Sequence, residues 1–333
     1  MICAEPTGPS TRSPCRKSHS PSSTSVASSC PATIRAGVSC VCPHARNAVP
    51  TSSPRRIPAA LWIWYRGGNF RGFQRQVEGP TIQDSVEAAL REAGVPAGVM
   101  PSGRTDRGVH ARMQVLSLRL PEEPSLEEML GRVARHLPPD LGFCVARRPA
   151  PSFHAQWVAS GKSYRYRLQL EGAVSEAWRP YALDVAHEPL LASREVRPER
   201  LAELLGHATG TRDFIAFHEK SSPRKPRRLE SATLHAMGSG LYEVRLEGEG
   251  FARYQVRYLV GSALKVAAGL LPEEHWHAAL EAATPLEGLK APAQGLVLWE
   301  VHYPSQVDPF TPGERLHPPG LPGTPPFGNE APG

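Results

Sequence analysis

The sequence predicts an α+β fold, and three observations carry that expectation. Stretches with the two-residue alternation of strands are interspersed with stretches whose apolar residues recur at helical spacing. Two of the helical stretches open on residues that cap helices, Thr81 and Ser125. Met237-Gly238-Ser239-Gly240 sits between two strand-like runs and reads as a hairpin turn. Hairpin-joined strands with helices laid on one side are the α+β pattern.

In chain order, Leu61 to Tyr65 reads as the first strand. Thr81 then caps a helix whose Ile82, Val86, Ala89 and Leu90 share one face, and Gly94 ends it. Residues 113–120 alternate as a strand with Leu116, Leu118 and Leu120 on one side. Ser125 and Glu128 form a capping-box pattern ahead of a helix facing inward through Leu126, Met129, Leu130, Val133 and Leu137. A second half repeats the mixture: a strand at 162–170, a helix at 198–208, the hairpin, helices at 251–269 and 273–283, and a strand at 296–303.

The 333 residues divide by composition into four parts. Residues 1–58 are a Ser/Pro-rich basic head with few large apolar side chains, which cannot offset its own folding entropy and is expected to be disordered. Residues 59–152 and 153–304 are the two α+β halves. Residues 305–333, rich in Pro and Gly, are expected to be a disordered tail, with Pro309, Pro312, Pro318, Pro319, Pro322, Pro325 and Pro326 excluding regular structure. The formal charge of +6 lies wholly in residues 1–60, which hold seven basic residues against the single acid Glu5. An RNA site in the rest of the chain therefore needs local clustering of cations.

Five of the six cysteines also lie in the head, which leaves only Cys144 elsewhere and fits a reducing, cytoplasmic setting. Cys40, Cys42 and His44 lack the paired spacing of a structural zinc site. No apolar run reaches the ~18 residues of a membrane span. Five cysteines without an evident partner favour a translation start downstream, near Val49, over a basic arm. On either reading, residues 59–304 are expected to suffice for activity.

Residues 103–111 read Gly-Arg-Thr-Asp-Arg-Gly-Val-His-Ala. A carboxylate, Asp106, lies between two arginines on a glycine-bounded loop. The arginines are expected to hold it ionised and to meet a polyanion. The same tetrapeptide also reads as a solvated turn. Other blocks surround it: Tyr65-Arg66-Gly67-Gly68-Asn69-Phe70-Arg71-Gly72-Phe73-Gln74-Arg75-Gln76, Phe153-His154-Ala155, Ser163-Tyr164-Arg165-Tyr166, Asp213-Phe214, Phe251 leading to Val256-Arg257-Tyr258-Leu259-Val260-Gly261, and Ala291-Pro292-Ala293-Gln294-Gly295-Leu296. The nonapeptide, with these blocks in this order, resembles the tRNA pseudouridine synthases of the TruA family from about residue 61 to residue 304.

The resemblance implies a pseudouridine synthase fold, with two similar α+β halves whose antiparallel sheets join around a central RNA-binding cleft. It also implies an isomerase, without metal or other cofactor, acting on uridines 38 to 40 of the tRNA anticodon stem-loop. A homodimer is implied, with one tRNA touching both subunits. Asp106 is then the catalytic residue. Arg257, at i+4 from Arg253 on a helix face, becomes its partner; on residues alone the two arginines could be a surface ridge. Tyr164 becomes a pocket residue that stacks on the target base, although composition alone reads it as a core aromatic. Arg104 faces the RNA, either inserting where the base swings out or clamping phosphate. Arg107 lies beside the pocket, and His110 reads as a loop brace or a substrate contact.

Arg71, Arg75, Arg224, Lys225, Arg227 and Arg228 are candidate phosphate contacts. Four positions depart from the family pattern: Arg66 for aspartate, Phe73 for tryptophan, Arg107 for alanine and Tyr258 for asparagine. These leave open another RNA substrate. A catalytically silent RNA-binding module is the alternative of a different class, against which the intact Asp106, Tyr164 and Arg257 count. A nucleotide- or metal-dependent enzyme would need a Gly-rich phosphate loop or paired ligands, and neither is present in the sequence.

Overall fold

The computed structural model describes residues 54–219 and 222–328. Its first half runs β1 (Arg56–Tyr65), α1 (Ile82–Glu92), β2 (Met100–Pro101), β3 (His110–Pro121), α2 (Leu126–Ala134) and β4 (Leu141–Arg147). The second half runs β5 (Gly161–Gln169), β6 (Leu183–Asp184), α3 (Pro198–His207), β7 (Gly210–Arg212), β8 (Arg227–Gly238), β9 (Leu241–Gly248), α4 (Gln255–Ala267), α5 (Glu273–Glu281) and β10 (Leu296–His302). A last helix, α6 (Pro312–Leu316), follows.

The strands form one sheet in the order β4-β1-β3-β10-β5-β9-β8-β7, with β2 added on β3 and β6 on β5. Pairing within each half's main strands is antiparallel. The halves meet where β10, last of the strands in sequence, enters between β3 and β5. It runs antiparallel to β5 and parallel to β3, with Val297 opposite His110 and Leu298 opposite Ala111. That seam brings the start of β3, and the loop before it, beside Tyr164 and Tyr166 of β5.

Local chemistry explains most boundaries. Thr81 accepts from the Asp84 N–H to cap α1, and Ser125 accepts from the Glu128 N–H to cap α2. Ser239 and Gly240 both have positive φ, 50° and 74°, which is the two-residue turn whose twist matches a hairpin. Helix α4 starts at Gln255 rather than 251 because Tyr254 is left-handed, at φ 64°. Two large apolar clusters result. One lies between β1, β3, α1 and α2, and the other between β5, β8, β9 and the helices α3 to α5.

Two expectations need correction. The first strand starts at Arg56, inside the segment assigned to the head; residues 1–53 lie outside the described residues. The tail is also structured over residues 305–328, against the expectation of disorder. Its prolines prevent long helices and strands but not docking. Thr311, Pro312 and Glu314 make a capped turn with a complete capping box. Phe310 packs edge-on against Trp62 at 5.6 Å, and Phe327 against Trp64 at 5.8 Å. Arg315 reaches Glu300 and Asp308, Arg147 pairs with Glu314, and Arg112 donates to the Arg315 carbonyl. With helices on one face and the tail on the other, β1 is buried from Ala59 to Tyr65 and β3 from His110 to Leu116. The single-sided leucine face expected for β3 is therefore only part of its burial. Residues 59–304 alone would uncover Trp62 and Trp64.

Candidate active site

The loop from Gly103 to Val109 joins β2 to β3, and neighbours on several sides fix its backbone. Gln114 of β3 accepts from Ser102 Oγ at 2.7 Å and donates to the Gly103 carbonyl at 2.8 Å. The Tyr65 hydroxyl bonds Thr105 Oγ1 at 2.8 Å, and the Phe73 N–H donates to the Thr105 carbonyl at 3.0 Å. The segment after β1 needs its glycines for this approach. A Cβ at Gly67 would lie 2.0 Å from the Val109 carbonyl oxygen. Gly72 has φ 94°, and a Cβ there would lie 2.9 Å from the Thr105 carbonyl oxygen.

His110 closes the arrangement. Its Nδ1 accepts from the Gly67 N–H at 3.0 Å, so Nε2 carries the proton and donates to the Gln294 carbonyl at 3.1 Å. The ring is 1% exposed, and burial pushes its pKa down to about 4. Three segments far apart in sequence are thereby tied together. Both ring nitrogens are occupied by backbone, so the structure takes His110 off the list of substrate contacts and leaves it the brace.

Asp106 is half-buried and lines a cleft of about 1190 Å³. Burial raises its pKa, against the opposing fields of Arg257 first, then Arg253 and Lys290, while Glu219 adds to the rise. This corrects the expectation for Arg104 and Arg107. Both line the cleft and are exposed, but neither is among the cations acting on Asp106. Flanking Asp106 in the loop does not bring their charges to bear on it; the cations that do come from the start of α4 and the segment just before β10.

The expected contact between Asp106 and Arg257 is likewise replaced by a longer-range one. Among the described residues, Arg257 makes no ion pair within 4.0 Å. Its Nε donates to the Ala291 carbonyl at 2.7 Å, and the Ala291 N–H returns a bond to the Arg257 carbonyl at 3.1 Å. Its guanidinium lies 5.3 Å from the centre of the Tyr254 ring. That ring also faces Arg253 at 4.7 Å and Lys290 at 4.4 Å, so one aromatic gathers three cations beside the carboxylate. Neither Tyr254 nor Lys290 was singled out in the sequence. Tyr254 lay inside the matched block between Phe251 and Val256, which was the available signal.

Tyr164 lines the same cleft and meets Phe251 edge-on at 5.1 Å. Burial, with Tyr65 and Asp106 nearby, pushes its phenol up, so it stays protonated. Of the candidate phosphate contacts, Arg71 lines the cleft. Arg75 does not, because Asp84 and Glu87 of α1 engage it. Arg224 is held by Asp213, and residues 224–228 lie just beyond Ser222 and Pro223 of the cleft wall.

The departures from the family pattern sort by position. Arg66 bonds Thr324 and the Pro325 carbonyl of the tail, and Phe73 is fully buried. Tyr258 does not line the cleft, whereas Arg107 does. Among the described residues, His207, Glu273 and His277 could gather round an ion, but none lines the cleft and Arg200 already engages Glu273. Cys40, Cys42 and His44 lie outside the described residues.

Residues 206–304 match the family model described as tRNA pseudouridine synthase. Curated relatives include the tRNA pseudouridine synthase A of Thermus thermophilus, 35% identical over 247 residues that cover 73% of this chain and 95% of the relative. Those of Bacillus pumilus and Beijerinckia indica are 32% and 34% identical, covering 72% and 74% of this chain and 97% and 94% of the relatives. A solved Cbf5-Nop10-Gar1 complex aligns at a TM-score of 0.30 and 13% identity, over 63% of this chain and 45% of its own, too slight a likeness to bear on fold or activity. No helix among the described residues is long and apolar enough to cross a membrane. The identity and near-complete coverage of the curated relatives place this chain in the tRNA pseudouridine synthase A family.

Proposed function

We propose that this chain isomerises uridine to pseudouridine in tRNA, at positions 38 to 40 of the anticodon stem-loop, with Asp106 as the catalytic carboxylate. The observation that carries the reading is Asp106 itself. It is a half-buried carboxylate on a loop braced from several sides, inside a cleft whose walls offer cations and aromatic rings.

The reaction breaks the C1′–N1 bond, turns the uracil, joins C1′ to C5 and moves the C5 proton to solvent. No electrons are exchanged with a second substrate. Burial makes Asp106 more basic and less solvated than a surface carboxylate, which suits attack or proton abstraction. The fields of Arg257, Arg253 and Lys290 counter that effect and favour the ionised form. Tyr164 stacks on the base, with Phe251 packed edge-on against its ring, and its protonated hydroxyl is available as a donor. Arg104 and Arg107 meet RNA phosphates at the mouth, offsetting part of the cost of ~a few kcal/mol for unstacking the target nucleotide.

Residues 59–152 and 153–304 act as the two halves of the cleft. Membership of the family supports a cytoplasmic homodimer that takes tRNA as its partner and uses no cofactor. Mapping pseudouridine in tRNA from cells with and without the gene tests the reading. Loss of the modification at 38 to 40 is expected. Loss only at other sites would name a different RNA target, and no loss anywhere would end the proposal.

A further inference from the structure

Lys162 is the second residue of β5, and its side chain reaches across the cleft wall to the loop that carries Asp106. Its Nζ donates to the Ser102 carbonyl at 2.9 Å. A Cβ on residue 103 would lie 2.3 Å from that nitrogen, so the ammonium sits directly against Gly103, where any larger residue would displace it. The lysine lines the same cleft as Asp106, Arg104 and Tyr164.

An ammonium group has three hydrogens to donate, and among the described residues the Ser102 carbonyl is its one acceptor. No carboxylate of the described residues lies within 4.0 Å of it. Burial pushes its pKa down to about 8, with no neighbouring anion to oppose the effect. A partly buried cation without a counter-charge is costly to hold, and a fold keeps one where a bound anion completes it. Lys162 and Gly103 both line the cleft, so the ammonium borders the space a substrate enters. A neutral uracil carbonyl would accept a hydrogen bond but would not balance the charge. A backbone phosphodiester does both, and it comes with every nucleotide of an RNA.

We propose that Lys162 and the backbone at Gly103 form a phosphodiester-binding subsite, which takes the RNA phosphate adjacent to the nucleotide held at Asp106. The proposal rests on the RNA-modifying reading above. Phosphate binding there anchors the flipped nucleotide on one side. Through the Ser102 carbonyl it also holds the loop from which Asp106 projects, so docking and placement of the carboxylate become one event.

The test uses the full chain and unmodified substrate tRNA. The affinities of wild type, Lys162→Met and Lys162→Arg are measured by filter binding across a salt series, beside single-turnover pseudouridine formation and melting temperature. Lys162→Met is expected to bind about tenfold more weakly at low salt. Its slope of log affinity against log salt should be shallower than wild type by about 0.7–0.9, the value of one phosphate contact. Lys162→Arg should restore the slope. If Lys162→Met does not fold, the slope is read on Lys162→Gln. A lysine that merely braces the loop would lower melting temperature and rate but leave the slope unchanged, and that result overturns the proposal. Wild-type protein that binds tRNA but forms no pseudouridine would instead overturn the parent reading, and the slope comparison would still report on the subsite.

Discussion

His110 links the stability of the fold to pH through the same contacts that hold the catalytic loop. Its Nδ1 is already an acceptor for the Gly67 N–H, so a second proton has no place to go without breaking that bond. Arg66 and Arg167 also disfavour a charge there. The imidazole therefore titrates at about 4 in the folded chain, against 6.5 for the ordinary side chain. Above pH 6.5 neither folded nor unfolded chain carries the proton and His110 contributes no pH dependence. As the pH falls below 6.5, only the unfolded chain takes it up, so stability is lost until the folded imidazole titrates in turn. At about 1.36 kcal/mol per pH unit, the loss approaches about 3 kcal/mol by pH 4.

His110→Gln removes the titration while keeping an amide in the same space, at a cost of about 1–3 kcal/mol at pH 7 for imperfect hydrogen bonds. Urea unfolding of both proteins, followed by tryptophan fluorescence from pH 7.5 to pH 4.5, isolates the effect, because the other acid-titrating groups are shared. The difference between them should shift by about 2–3 kcal/mol in favour of the glutamine variant toward the acid end. Parallel curves would mean that His110 is not the neutral, doubly bonded brace described above.

Three further outcomes follow from named contacts. Arg257→Ala removes the leading cation that opposes burial of Asp106, so the acid limb of kcat/KM should move to higher pH. Stability should fall by only about 1 kcal/mol, because the lost contact is a hydrogen bond to Ala291 rather than a buried ion pair; an unshifted limb would refute the electrostatic link. Phe310→Ala should cost about 3–5 kcal/mol in urea unfolding, since Phe310 is buried against Trp62. A loss below about 1 kcal/mol would return residues 305–328 to the status of a loose tail. Gly67→Ala places a methyl group against the Val109 carbonyl and should lower kcat with native-like circular dichroism; wild-type kcat would show that the loop tolerates the displacement.

Much of the fold was legible because short-range chemistry decides it. Thr81 and Ser125 cap the helices they were expected to cap, and the turn at Ser239-Gly240 lies inside the span assigned to it. The strand β4 escaped notice because Gly142 and Cys144 dilute its alternation. The tail escaped for a different reason. Composition reports what a backbone prefers locally, while Phe310 and Phe327 are single apolar residues whose partners lie more than 240 positions away. At the site, the cleft carries Asp106, Tyr164, Arg104, Arg107 and Arg257 as expected from their blocks. Which cations act on Asp106 could not be read from adjacency. Arg104 and Arg107 are its near neighbours in sequence, whereas the folded chain brings Arg257, Arg253 and Lys290 to bear through the seam at β10 and the start of α4. Lys162 was hidden inside a strand pattern that gave no sign of where its ammonium would come to rest.

Asp106→Asn tests directly whether the Asp106 carboxylate performs the chemistry. The substitution keeps shape and removes charge. Because burial raises the folded pKa of Asp106 above its ordinary 3.8, the ionised carboxylate costs stability near neutral pH. The asparagine variant should therefore melt no lower than wild type and still bind tRNA. Tritium release from C5 of uridine-labelled tRNA is the measurement. Wild type should release tritium and the folded variant none above background; turnover within about tenfold of wild type, ~1.4 kcal/mol in barrier, would take the chemistry away from Asp106.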